Sequence, residues 1–155
     1  MTVVCYKNGV LASDSLVSNS IMNAGSMQKV LKREGYLVGV SGSCKDAAMF
    51  LDAVKEIPVE ALDNFIPDPV TMKFDSLGAI FVKPDGTVLH IDEGGYFFQI
   101  GAPFHAEGSG APIAIGAMAA GASAQEAVEI AIEYASGCGG KVQSVELDKK
   151  VKRKR

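Results

Sequence analysis

With 155 residues, 48% hydrophobic and 21% charged, the chain has the size and composition of one globular domain with a sizeable core. The formal net charge of −3 predicts no nucleic-acid partner for the body of the protein, and no apolar run is long enough to cross a bilayer. Three cysteines without a CxxC pair argue against a disulfide framework or a cysteine zinc site and indicate a reducing compartment.

Two hairpins are predicted at the start of the chain. Residues 2–7 are rich in β-branched and aromatic side chains, which favours a strand. Asn8-Gly9 is the strongest short hairpin signal, so residues 10–13 are expected to return antiparallel. A second hairpin is predicted from residues 28–32 and 36–41.

Capping signals and turn residues indicate where helices, loops and strands begin and end in the remaining chain. Ser43 and Ser123 each precede a helical pattern, and Ser123 forms a capping box with Glu126. Three prolines interrupt residues 57–73, where a short helical turn and a loop are expected. Helices are predicted at about residues 44–55, 110–120 and 124–137. Further strands are predicted at residues 77–83, 87–92, 94–99 and 142–147.

Strands and helices fall into blocks and do not alternate along the chain. This order favours an α+β domain of antiparallel sheets with helices packed outside them. One domain is predicted over residues 1–148. The basic segment 149–155 is expected to be a disordered tail.

Thr2 combines a nucleophile with a base. Because a small residue follows Met1, an aminopeptidase is expected to remove Met1 and leave Thr2 with a free α-amine. That amine can accept the proton of the adjacent hydroxyl, and its ordinary pKa lies near neutrality. Thr2 is therefore the first candidate for a catalytic residue.

Several short motifs follow one another along the chain. They are Thr2-Val3-Val4, Asn8-Gly9-Val10-Leu11-Ala12-Ser13-Asp14, Gln28-Lys29-Val30, Val40-Ser41-Gly42-Ser43 with Asp46-Ala47, and Glu107-Gly108-Ser109-Gly110-Ala111-Pro112. Taken in order, they resemble the motifs of the proteasome β-subunit family. The likeness is strongest to the bacterial ATP-dependent, proteasome-like peptidase that forms double rings without a propeptide, and to short relatives encoded by bacteriophages.

The resemblance implies the four-layer αββα fold of the N-terminal nucleophile hydrolases and assigns five site residues. Thr2 matches the nucleophile, Asp14 the acidic residue and Lys29 the lysine of the active site. Gly42 matches the glycine whose backbone N–H contributes to the oxyanion hole. Ser109 matches the serine that hydrogen-bonds near the free amine.

Elementary chemistry agrees with these roles, but the strand register raises a difficulty. A lysine near Thr2 would favour the alkoxide and lower the pKa of the amine, and Asp14 would hold that lysine in place. However, a two-residue turn pairs Val3 with Asp14, so strict alternation points Thr2 and Asp14 to opposite faces. They can act together only through Lys29, a bulge or local twist.

The resulting hypothesis is a cytoplasmic threonine-type endopeptidase that works as a homo-oligomeric ring. Its substrates would be peptides or unfolded proteins, and the resemblance implies an ATPase unfoldase as partner. No metal and no organic cofactor are predicted.

Two other functions stay open. The family has an acidic residue near the end of the last helix, where this chain has Gly137, and the central segment is short. Together with the basic tail, these departures favour an inactive copy of the fold with a structural or assembly role, for example in a phage particle. A third option is hydrolysis of a small amide.

Simple structural interpretations also stand beside each candidate residue. Thr2 could be part of an edge strand, Asp14 a turn residue and Lys29 a solvated side chain. Ser43 and Ser109 both suit helix N-caps. The sequence gives no sign of paired ligands for the two histidines, so these interpretations make them structural or exposed. The histidines are His90 and His105.

Overall fold

The computed structural model describes residues 2–18, 21–65 and 73–149, so Met1, part of the predicted central loop and nearly all of the predicted tail lie outside the described residues. The strands are β1 Val4–Lys7, β2 Val10–Ser13, β3 Leu16–Ser18, β4 Asn23–Ser26, β5 Val30–Arg33, β6 Tyr36–Gly42, β7 Leu77–Val82, β8 Val88–Asp92, β9 Phe97–Gln99, β10 Phe104–Glu107 and β11 Gln143–Glu146. The helices are α1 Cys44–Glu56, a 3₁₀ helix Val59–Asn64, α2 Ala111–Ala119 and α3 Ala124–Tyr134.

The strands form two main antiparallel sheets and one small hairpin. The four-stranded sheet has the order β10-β1-β2-β11, and the five-stranded sheet has the order β5-β6-β7-β8-β9. Strands β3 and β4 form a separate two-stranded sheet among the described residues. The predicted α+β class with antiparallel sheets is therefore confirmed.

Three apolar clusters hold these elements together. One joins α1 and the 3₁₀ helix to the five-stranded sheet, and a second joins α2 and α3 to the four-stranded sheet. The third contains side chains from both sheets, so the sheets bury apolar surface against each other. Its buried members are Val4, Leu11, Val30, Leu37, Ile80, Val82 and Val88.

The first hairpin has the turn and the register that the sequence predicts. Asn8 and Gly9 both have positive φ, at 52° and 79°, as a type I′ turn requires. Val4 pairs with Ser13, and the Asp14 N–H donates to the Val3 carbonyl at 3.2 Å. The predicted register is confirmed.

Both predicted serine caps are confirmed as well. The Ser43 hydroxyl accepts from the Asp46 N–H at the start of α1, and Ser123 and Glu126 form a complete capping box at the start of α3. The cap of α2 differs from the expectation. Gly110 occupies that position, so Ser109 lies one residue before the cap and does not serve as one.

Three strands, β3, β4 and β10, are not predicted from the sequence. The residues of β4 are all exposed and include Asn and Gly, which have low strand propensity. β3 has no clear alternation of burial, and β10 carries His105 and Glu107 in only four residues. Each gains its backbone hydrogen bonds from a partner strand, which a local pattern does not reveal.

None of the helices in the described ranges is long and apolar enough to span a membrane.

We predict that Gly39→Ala destabilises the protein. A Cβ at Gly39 would lie 2.6 Å from Val4 Cγ1 and 3.1 Å from Leu11 Cδ2, in the cluster between the sheets. Such overpacking costs about 1–3 kcal/mol of unfolding free energy, measured by urea denaturation. Gly116→Ala in α2 is the matched control, because a Cβ there meets no atom within 4 Å among the described residues. A Gly39→Ala midpoint equal to that of the control would contradict the packing described here.

Candidate active site

Thr2 lies two residues before the start of β1 and is buried, with 5% of its surface exposed. Its carbonyl accepts the Gly110 N–H at 3.1 Å, and the Ser109 hydroxyl lies 3.5 Å from the same oxygen. Gly108 packs directly on it: a Cβ at Gly108 would lie 2.1 Å from the Thr2 carbonyl oxygen, and Gly108 has φ +95°. Only glycine fits this approach without displacing the start of the chain.

Lys29 connects Thr2 to Asp14. Its Nζ donates to Thr2 Oγ1 at 3.1 Å and to Asp14 Oδ1 at 2.9 Å. Lys29 and Asp14 are 3% and 0% exposed, so the ion pair is removed from solvent. Strict strand alternation would point Thr2 and Asp14 to opposite faces of the hairpin, and the Lys29 ammonium connects the two side chains. This is one of the three routes that the sequence left open.

The Asp14 carboxylate accepts three hydrogen bonds. Oδ1 accepts the Val3 N–H at 3.2 Å in addition to the lysine, and Oδ2 accepts the Gly139 N–H at 3.1 Å. A buried carboxylate with several donors recovers much of the hydration energy that it loses on burial. Asp14 therefore ties the start of β1, the loop after α3 and Lys29 to one another.

The backbone of Lys29 is fixed from both sides. Its N–H donates to Gln143 Oε1 at 2.9 Å, and its carbonyl accepts the Val40 N–H at 2.9 Å. The Gln143 amide also donates to the Met27 carbonyl at 2.8 Å. Gln143 is thus a positioning residue from the last strand, and nothing in the local sequence marks it.

Gly42 forms the turn from β6 into α1 beside Thr2. It has φ +117°, and a Cβ there would lie 2.1 Å from the Ser76 carbonyl oxygen. Asp46 holds this opposite segment: its Oδ2 accepts the N–H groups of Asp75 and Ser76, both at 2.8 Å. The hydrogen bond from the Ser76 backbone is the main reason that the pKa of Asp46 lies below its usual range. Asp46 is a second positioning residue, which the sequence marks only as part of a family motif.

Ser109 has a thiol beside it where the resemblance suggests an acid. Cys138 is buried next to this segment, and its Sγ would lie 2.9 Å from a Cβ at Gly110, the residue after Ser109. Burial raises the pKa of Cys138, while the Ser109 hydroxyl partly opposes that shift. The neutral thiol cannot supply the negative charge that a carboxylate at Gly137 would bring.

A cleft of about 600 Å³ opens in front of these residues. Thr2, Gly42 and Ser109 all line it. Asp14 and Lys29 lie behind Thr2 and support its hydroxyl from the protein side. The five sequence-predicted residues therefore surround one hydroxyl and the space before it.

The interpretation of the two histidines requires a correction. His90 and His105 do have a shared partner: His90 Nδ1 and His105 Nε2 both contact Glu107 Oε1, the second at 2.6 Å. His90 and Glu107 also line the cleft. Local sequence patterns do not reveal this cluster, because its members come from β8 and β10, which belong to different sheets.

The chain has a proteasome β-subunit-like fold. No family model and no curated protein sequence matches it. Among solved structures, Thiobacillus denitrificans BPH in complex with epoxomicin matches with a TM-score of 0.66 and 20% identity, over 96% of this chain and 99% of that one. T. denitrificans BPH matches with a TM-score of 0.67, 20% identity and the same coverage. Eukaryotic HslV from Trypanosoma brucei matches with a TM-score of 0.65 and 20% identity, over 94% and 98%.

We predict that Lys29→Met lowers the unfolding free energy by about 3–5 kcal/mol, because it leaves the buried Asp14 carboxylate without its counter-ion. Lys32→Met is the matched control. Lys32 pairs with Asp148 at the surface, where the two side chains are 33% and 76% exposed, and loss of such a pair costs at most about 1 kcal/mol. Urea denaturation of both variants measures the difference. Equal losses would show that the buried pair does not hold this site together.

Proposed function

We propose that the protein is a threonine-type endopeptidase whose nucleophile is Thr2, exposed by removal of Met1. The contact of Lys29 Nζ with Thr2 Oγ1 at 3.1 Å carries the proposal, because a buried ammonium at that distance stabilises the alkoxide that attack requires. The fold and the cleft that Thr2 lines support it.

The reaction follows from the groups around Thr2. The α-amine takes the proton from Oγ1 as Oγ1 bonds to the scissile carbonyl carbon, and the Gly42 N–H stabilises the oxyanion. The amine then gives the proton to the leaving nitrogen as the C–N bond breaks, which leaves an ester on Thr2. Water attacks this ester after losing a proton to the amine, and Oγ1 recovers its hydrogen on leaving. Ser109 positions the Thr2 backbone throughout.

The proposal includes the four-layer αββα arrangement that the resemblance implies. The three apolar clusters support it, because two lie between a sheet and helices and one contains residues of both sheets. Peptides or unfolded proteins are the proposed substrates, and an ATPase unfoldase the proposed partner. The complex of T. denitrificans BPH with epoxomicin makes that compound a useful probe of this cleft.

One observation favours a second function. Gly137 stands where the resembling family has its acid, and the neighbouring Cys138 is a buried thiol whose pKa is raised by burial. An inactive copy of the fold with a structural or assembly role would have this arrangement. The experiments on Thr2 separate the two functions.

We predict that the purified protein lacks Met1 and hydrolyses fluorogenic peptides through Thr2. Intact mass spectrometry should show the loss of Met1 in the wild type and in Thr2→Ala, since alanine is also small. Thr2→Ala should reduce kcat/KM by at least about 10³-fold, because no hydroxyl attacks the peptide. Thr2→Ser, which keeps a hydroxyl beside the amine, should retain measurable turnover.

The result that overturns the peptidase is a mature wild type without turnover and without epoxomicin binding, and this result would favour the structural role. Turnover that survives Thr2→Ala would instead assign the hydrolysis to another group. Circular dichroism of Thr2→Ala must match that of the wild type, so that a change in turnover is not a loss of folding.

The proposal also includes self-association. Strand β9 lies at the edge of the five-stranded sheet, and three consecutive aromatic residues there are exposed. Tyr96, Phe97 and Phe98 have 66%, 44% and 43% of their surface accessible. Exposed aromatic side chains on the edge strand of a sheet are typical of a protein interface.

We predict that Tyr96→Lys with Phe97→Lys dissociates the oligomer, because two charges would be buried without partners. Light scattering should give an oligomer for the wild type and a smaller species for the double variant. Tyr134→Lys on α3 is the control, since Tyr134 is 70% exposed and lies on a different element. A monomeric wild type, or a double variant of unchanged mass, would contradict this interface.

A further inference from the structure

Both histidines of the chain meet at one carboxylate. The sequence has two histidines, His90 on β8 and His105 on β10, and each places a ring nitrogen against Glu107 Oε1. The three side chains are 15%, 23% and 18% exposed, so the cluster is largely shielded from water. Nothing in the proposed threonine chemistry uses these groups.

The fold brings the three groups together from opposite sheets. His105 and Glu107 are two residues apart on β10, so they share one face of the four-stranded sheet. His90 pairs with Ile80, whose side chain belongs to the cluster between the sheets. Gly78 leaves room for the carboxylate, since a Cβ there would lie 3.2 Å from Glu107 Oε2.

Hydrogen bonding within the described residues leaves one nitrogen of this cluster without a well-formed partner. Both imidazoles contact the same carboxylate oxygen, Glu107 Oε1. His90 Nδ1 is buried and makes no well-formed hydrogen bond to any described residue, even though it contacts Glu107. A buried ring nitrogen in this state is destabilising unless a further group binds it.

The donor set suits a transition-metal ion. One nitrogen of each histidine and one carboxylate oxygen all lie within 4.8 Å of one another. Small side-chain rotations would let them share an ion with bonds of about 2 Å. Two imidazoles with one carboxylate are typical ligands of Zn²⁺ and its first-row neighbours, whereas Mg²⁺ prefers oxygen donors.

We propose that His90, His105 and Glu107 bind one Zn²⁺ ion in the wall of the cleft. The ion would connect β8 of one sheet to β10 of the other and stabilise the pairing of the sheets where the cleft opens. This departs from the sequence-based expectation of no metal. It does not depend on whether Thr2 is a nucleophile.

The test is calorimetric titration of the full-length, untagged, chelator-treated protein with zinc chloride. One ion per chain should bind with a Kd in the micromolar range or below, while magnesium chloride gives no heat at the same concentrations. His90→Gln and Glu107→Gln should each weaken zinc binding at least about tenfold. Asp92→Asn and Glu93→Gln are the matched controls, because both residues line the same cleft but lie outside the cluster.

Two further measurements make the result decisive. The imidazole NMR spectrum contains only two histidines, so both sets of signals should shift together in the wild type, with no substitution needed. Zinc at about 100 times its Kd should raise the Tm by about 5 °C or more. Thr2→Ala should bind zinc as the wild type does, which separates this proposal from the peptidase.

Cysteine is the main competing zinc ligand. Cys44 is the exposed thiol, and the other two cysteines are buried. Burial also raises the pKa of Cys5 to about 12, so its thiol is a poor ligand near neutral pH. Zinc binding that persists in Cys44→Ser supports the histidine site. Binding that disappears in Cys44→Ser, or that leaves both imidazole signals unchanged, overturns it.

Discussion

The buried ion pair between Lys29 and Asp14 is the interaction on which the candidate site depends. Burying two charges is unfavourable unless each is paired and hydrogen-bonded, and this pair meets both conditions through Thr2, Val3 and Gly139. The partners come from the first strand, the segment before β5 and the loop after α3. The pair can therefore form only when both sheets and the last loop are in place, which couples the position of Thr2 to the folding of the domain.

The close approach of backbone segments at two glycines is the second constraint. At Gly42 and at Gly108 the chain passes so near another segment that a Cβ would lie 2.1 Å from a carbonyl oxygen. These glycines allow the cleft to be walled by main chain on both sides of Thr2, where fixed N–H groups are effective partners for a developing negative charge. Asp46 supports the Gly42 side through Asp75 and Ser76. The cleft is thus built from residues whose role is to hold backbone in place.

The cleft offers different chemistry on its different sides. The side with Thr2 and Lys29 offers a hydroxyl next to an ammonium, while the side with His90 and Glu107 offers ring nitrogens and a carboxylate. A peptide or an ion in this space would meet different electrostatic surroundings depending on which wall it contacts. Each of these two sides combines residues carried by both sheets, so neither exists until the sheets pack together.

Local signals in the sequence determined much of the fold. The Asn8-Gly9 turn fixed the first register, Ser43 and Ser123 fixed two helix starts, and Thr2, Asp14, Lys29, Gly42 and Ser109 were all recognisable from short motifs. Tertiary structure alone decided how Lys29 reaches both Thr2 and Asp14, which side chain stands beside Ser109, and that β8 and β10 bring two histidines to one carboxylate. The physical reason is range: turns and caps are satisfied within a few residues, whereas these contacts join residues far apart in the sequence and appear only when the sheets and loops pack together.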